Sequence, residues 1–203
     1  MVEELVSVLP LFGVLILSLS VHEAAHAWAA DRLGDPTARL LGRLTLNPLS
    51  HIDWIGTVAF PLIALVTGLP LIGWAKPVPV SWANLRAPRR DFALVALAGP
   101  ASNLLIAGAA YAVVATFWTV GVSFALGLAG VVALNLMLAA FNMLPIPPLD
   151  GANVLAGVVP EAVARGLDAL RPWGFVLVYV VVLYTPVFSY FYVSKFDVIG
   201  WLS

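Results

Sequence analysis

The chain predicts an all-α polytopic membrane protein with about four full transmembrane helices, a broken or re-entrant segment and a short β-hairpin-like element near the site. Three observations carry that expectation. Apolar residues make up 62% of the chain and charged ones 10%, against roughly 45–50% and about 25% in soluble domains. Mean hydropathy is +0.99. Several apolar runs reach the ~20 residues that cross a bilayer, and their interruptions fall at Pro and Gly.

The 203 residues predict a single integral-membrane domain over 1–203, with a catalytic core at about 5–155 and a C-terminal helix and last span over 152–203. No soluble module, internal repeat or low-complexity tail is visible. Net charge is −1 and no basic stripe occurs, so no nucleic-acid partner is expected. The lipid bilayer is the expected surrounding. Cysteine is absent, which excludes disulfides, thiolate nucleophiles and thiolate metal ligands.

Leu5–Ala30 is the first span, with Pro10 and Gly13 placed to bend it; it is too long for a removable signal peptide. Asp31–Ser50 is amphipathic and rich in turn residues, and its ARLLGRLTL stretch alternates as a short strand or hairpin does. Trp54–Trp74 is apolar but interrupted by Gly56, Pro61, Gly68, Pro70 and Gly73. Lys76–Val80 reads as an extended strand whose prolines suit an edge, open to pairing with an unwound peptide. Phe92–Trp118 and Val122–Met143 are spans joined by a turn near Gly121. Leu144–Gly151 cannot stay helical because of its prolines. A short helix over Ala152–Leu170 leads to the last span at Trp173–Tyr192, whose aromatics suit a membrane-interface belt.

Charge orients these segments. If Trp54–Trp74 enters and returns on one side, Arg32, Arg39, Arg43, Lys76, Arg86, Arg89, Arg90, Arg165 and Arg171 share a face and Lys195 lies opposite. The positive-inside rule then makes that face cytoplasmic, with Arg86, Arg89 and Arg90 near anionic lipid. A full crossing would split the positive charge between the two faces.

The chemistry concentrates in the first span. His22 and His26 are four apart, so on a helix they share one face, as two zinc ligands on one helix do. Glu23 is placed to act as base toward water at the metal. From Leu5 to Ala30 these three are the only ionisable residues, and such groups inside a span mark function by default. A third ligand is required, with one position left for water. Asp150, His51, Asp53, Asp31 and Asp35 are the candidates. Asp150 sits on an unwound stretch of the kind tolerated at membrane depth only where it lines a site; its plainer role is a helix cap. With Trp54–Trp74 re-entrant, the first span and Val122–Met143 run in the same direction, and His22, His26 and Asp150 reach one depth. Asn103, inside a span, either adjoins the site or ties helices together. His51 orients a ligand or caps an interfacial turn.

These residues resemble the site-2 protease family of intramembrane zinc metalloproteases. His22–His26 is similar to its HExxH, Asn142–Gly151 (NMLPIPPLDG) to its NxxPxPxxDG, and Gly99–Asn103 (GPASN) to its GxxxN, in the family's order over about Leu5 to Leu155. The resemblance implies one zinc per chain on His22, His26 and Asp150, Glu23 as catalytic base, and Asn142 and Asn103 beside the substrate and developing oxyanion. It also implies a transmembrane protein substrate cut within the membrane, in a cell-membrane enzyme whose site faces the cytoplasm. No PDZ or other regulatory domain is expected. The alternatives fit less well. An inactive zinc-binding scaffold needs no base at Glu23, and a metal transporter needs polar groups spread along several spans. Serine and aspartyl intramembrane proteases need a GxSG or a second intramembrane Asp.

Overall fold

A computed structural model of the chain describes residues 2–67, 73–117 and 122–184. The architecture is all-helical, and no strand forms among the described residues. In chain order the helices are α1 (Val2–Arg32), α2 (Thr37–Leu40), α3 (Phe60–Thr67), α4 (Pro88–Phe117), α5 (Val122–Asn142), α6 (Asp150–Val158), α7 (Glu161–Ala169) and α8 (Gly174–Tyr184). The turn expected near Gly121 and the last span beyond Tyr184 lie outside the described residues.

Helix α4 is the centre of the packing, lying against α1, α5 and α6. Small side chains make that approach close. Ala24, Ala27, Ala29 and Ala30 of α1, Ala96, Ala107 and Ala110 of α4, and Ala129 and Ala139 of α5 are buried. Small residues at helix contacts gain dispersion by bringing backbones together, which is how helices associate where the surroundings are themselves apolar. The large apolar side chains point outward instead: Leu17, Leu97, Leu104, Leu105, Tyr111 and Leu183 are exposed. This is an inside-out arrangement relative to a water-soluble bundle.

The span count differs from the sequence expectation. Among the described residues two stretches are long and apolar enough to cross a membrane, Pro88–Thr116 and Glu161–Tyr184, and Gly127–Asn142 is a shorter apolar helix. The expected four spans are not all recovered. Helix α1 runs unbroken through Pro10 and Gly13. The expected helix over Ala152–Leu170 divides at Pro160 into α6 and α7, because proline cannot continue a helix hydrogen bond.

The expected hairpin is absent. Thr37–Leu40 form the single turn α2, after which Gly42, at φ 68°, turns the chain; the Arg43 N–H donates back to the Ala38 carbonyl at 2.8 Å. Local turn bonds thus take up amides that a ladder would need. The Trp54–Trp74 segment returns on itself. The Trp74 N–H donates to the Gly56 carbonyl at 3.2 Å and the Thr57 hydroxyl to the Trp74 carbonyl at 2.8 Å. A side chain on Gly56 would strike the Trp74 indole at 2.4 Å. Asp53 starts the loop by accepting the Ile55 and Gly56 amides. The two ends of the segment are thus in contact, with α3 between them.

Asp35 anchors the other end of this layer. Its buried carboxylate accepts from the Thr37 amide and hydroxyl, the Ser81 amide and the Asn84 side chain, so it joins the turn after α1 to the chain leaving the loop. Burial pushes its pKa up, but these four bonds outweigh burial and hold it below its ordinary value. A depressed carboxylate pKa stabilises the fold above the unfolded value of about 3.9, and that stability is lost as pH falls through the folded value. Asp35→Asn is therefore expected to cost about 1–3 kcal/mol at neutral pH and to flatten the acid limb of stability; thermal melts of detergent-solubilised protein between pH 3 and 7 would measure both.

Candidate metal centre

The i, i+4 spacing does on α1 what helix geometry demands. His22 and His26 project together toward α4, both buried, with their ring centroids 4.6 Å apart. Each imidazole is fixed by its other nitrogen. His26 Nδ1 lies 2.7 Å from the Val95 carbonyl, which only accepts, so Nδ1 carries the proton and Nε2 presents a lone pair. His22 Nδ1 likewise donates to Asn103 Oδ1 at 2.6 Å. Second bonds of this kind orient metal-binding histidines.

Asp150 completes the cluster. It begins α6, following the cap residue Leu149, and its Oδ2 makes no hydrogen bond to the helix end. Its Oδ2 lies 3.1 Å from His22 Nε2 and 3.4 Å from His26 Nε2, and the two Nε2 atoms are 3.0 Å apart. Three electron-pair donors therefore face one point, and buried Asp150 Oδ2 has no hydrogen-bond partner. Such a meeting is repulsive unless a proton or a metal cation sits among them. A tetrahedral ion with bonds of about 2.0–2.1 Å holds its ligands about 3.3 Å apart, close to the separations here. Two imidazoles and a carboxylate suit zinc.

The backbone is shaped for this cluster. A Cβ on Gly99 would lie 2.5 Å from His26 Cε1 and Nε2 and 2.6 Å from His22 Cε1, so only glycine lets α4 pass behind both rings. A Cβ on Gly151 would meet the Met143 carbonyl oxygen at 2.2 Å, which explains the glycine that follows Asp150. The Pro147–Pro148 peptide is cis, and Gly174, at the start of α8, packs closely on the Pro147 carbonyl.

Relatives carry the same assignment. The chain is 39% identical over 184 residues to YwhC of Bacillus subtilis, covering 87% of this chain and 80% of that protein. It is 33% identical over 188 residues to Rip2 of Mycolicibacterium smegmatis and 31% over 195 residues to Rip2 of Mycobacterium tuberculosis, each match covering 92% of this chain and 70% of the relative. All three bear zinc-metalloprotease names. The chain belongs to the site-2 protease-like zinc metalloproteases. No protein-family model and no solved structure matches it. This metalloprotease is a membrane protein, by its apolar helices and its relatives.

The remaining sequence candidates find other work. Among the described residues His22, His26 and Asp150 are the group able to hold a metal. Asp31 pairs with Arg39 at 2.8 Å, Asp35 and Asp53 serve the loops described above, and His51 Nε2 donates to the Thr45 carbonyl at 2.9 Å. Asn103 is fully buried, its amide shared between His22 and Asn135. Asn142 bonds back to the Leu138 carbonyl of its own helix at 3.0 Å. Arg89 is not free for lipid: it donates to the Ala156 and Val159 carbonyls at the end of α6.

Lys76–Val80 is extended, but it forms no ladder. The Lys76 amide donates to the His51 carbonyl at 2.9 Å and the Val78 amide to Glu23 Oε2 at 3.0 Å. Pro77 and Pro79 have no N–H, so from Lys76 to Pro79 no amide is left for a pairing strand. The segment instead holds the carboxylate of Glu23. Neither this contact nor Asn135 emerged from the sequence reading, although an amide inside an apolar span asks for a partner at Asn135 as much as at Asn103. Gly99→Ala is expected to force the imidazoles apart and weaken zinc binding by about tenfold or more; chelator competition on folded protein would measure it, and unchanged affinity would contradict this packing.

Proposed function

We propose that this metalloprotease is an intramembrane zinc endopeptidase. It cuts peptide bonds within or near transmembrane segments of other membrane proteins. One zinc per chain is held by His22, His26 and Asp150, and the single observation that carries the reading is the convergence of their three lone pairs within 3.4 Å. When bound there, zinc supplies Lewis acidity that makes water nucleophilic near neutral pH and polarises the scissile carbonyl.

The chain's own residues do the rest. Glu23, held by the Val78 amide, takes a proton from the attacking water and passes it to the leaving amine. Asn103 keeps His22 aligned; with both ends of its amide occupied, it is a positioning residue and not an oxyanion donor. Asn142 contacts the substrate backbone after releasing the Leu138 carbonyl. A helical substrate hides its carbonyls in its own hydrogen bonds, so it unwinds before attack.

The apolar outer surface, the returning Trp54–Trp74 loop and the placement of Lys and Arg support a multi-pass protein of the cell membrane with its site toward the cytoplasm. An inactive scaffold would leave Glu23 without a task, and no observation favours it. The test is zinc content and cleavage of a model transmembrane substrate by detergent-purified protein. Wild type is expected to hold about one zinc and cleave. Glu23→Gln should keep the zinc and lose about 10²–10⁴-fold in rate, and Asp150→Ala should lose zinc. Normal cleavage by Glu23→Gln would sink the proposal.

A further inference from the structure

Behind the metal centre runs a file of buried polar side chains that the proposed mechanism does not use directly. Asn135 of α5 and Asn103 of α4 are both 0% exposed. The Asn135 Nδ2 donates to the Val131 carbonyl of its own helix and to the Ser18 hydroxyl of α1, both at 3.0 Å. Its Oδ1 accepts from Asn103 Nδ2 at 2.9 Å, and Asn103 Oδ1 accepts from His22 Nδ1 at 2.6 Å. Three helices meet along this line, and His22 is its end.

The direction of every bond in the file follows from one group. A backbone carbonyl only accepts, so the Val131 oxygen requires the NH₂ end of the Asn135 amide. Asn135 must then turn its Oδ1 toward Asn103. An oxygen there demands a donor, so Asn103 presents its NH₂ to Asn135 and its own Oδ1 to His22. That oxygen in turn demands a proton on His22 Nδ1, which leaves the Nε2 lone pair facing His26 and Asp150. Were the Asn103 amide reversed, its NH₂ would face His22 and favour the tautomer with the proton on Nε2, which cannot bind metal.

We infer that Asn135 is a positioning residue for the zinc ligand His22, acting through the orientation of Asn103. It touches neither metal nor substrate. A residue that merely glues helices together would affect stability and leave metal affinity alone, and this difference decides the matter. The inference rests on reading His22 as a zinc ligand, so the experiment carries a control for that reading.

Zinc affinity is measured by chelator competition on folded, detergent-purified protein for wild type, His22→Ala, Asn103→Leu, Asn135→Leu and the double variant Asn103→Leu/Asn135→Leu. Asn135→Leu is expected to bind zinc about 10–100-fold more weakly than wild type. The double variant should bind no more weakly than Asn103→Leu alone, since both act at one amide. If Asn135→Leu does not fold, Asn135→Ser carries the same expectation of a tenfold or greater loss, because its hydroxyl reaches the Val131 carbonyl but not Asn103. Wild-type affinity in the folded Asn135 variants would overturn the inference, as would losses that simply add in the double variant. If His22→Ala binds zinc as wild type does, the ligand reading itself fails, and the inference with it.

Discussion

Three acceptor atoms that would repel one another are held within 3.4 Å, and the rest of the fold serves to keep them there. As neutral rings, the imidazoles of His22 and His26 have no proton left to donate to each other or to Asp150. Their protons are committed on the far side, to Asn103 and to the Val95 carbonyl. That commitment comes from α4, which supplies both acceptors and packs against α1. A cation is what resolves the arrangement, and the site's affinity for one is the counterpart of the repulsion it would suffer without one.

The close approach that this needs explains a group of glycines and alanines that otherwise look like a generic packing surface. Gly99 clears both imidazoles, Gly151 clears the Met143 carbonyl, and Gly174 clears Pro147. The three positions lie on α4, α6 and α8, so each of these helices has one point where a single methyl group would not fit. The proline-rich turn between α5 and α6 is pinned between them. It delivers Asp150 at a helix start with Oδ2 making no hydrogen bond to the helix end. Rigidity here matters more than stability, because a carboxylate that drifts by an ångström no longer shares an ion with two imidazoles.

What was legible in the sequence was the part governed by local periodicity. The i, i+4 pair on α1, the interruption of helix at Leu144–Gly151, and the loop character of Trp54–Trp74 all follow from residue spacing and from Pro and Gly chemistry. Asp150 as the third ligand came from weighing topology, and the structure brings it to the two histidines. What was not legible depends on long-range partners. An extended segment and a strand look alike in sequence, and Lys76–Val80 is kept from any ladder by His51 and Glu23, which its composition does not announce. The hairpin over residues 38–46 failed because local turn bonds at Arg43 and Gly42 captured the amides first. Asn135 passed unnoticed because one amide in a long apolar run looks tolerable until its three partners are seen.

The most direct test of the central claim is zinc K-edge X-ray absorption on the purified, zinc-loaded protein. The predicted first shell is nitrogen and oxygen only, with two imidazoles and one carboxylate at about 2.0–2.1 Å and a further light-atom ligand. Asp150→Asn should alter that shell while both imidazole signals remain. A third imidazole would assign His51 to the metal, and a spectrum indifferent to Asp150 would contradict the ligand set on which the account stands.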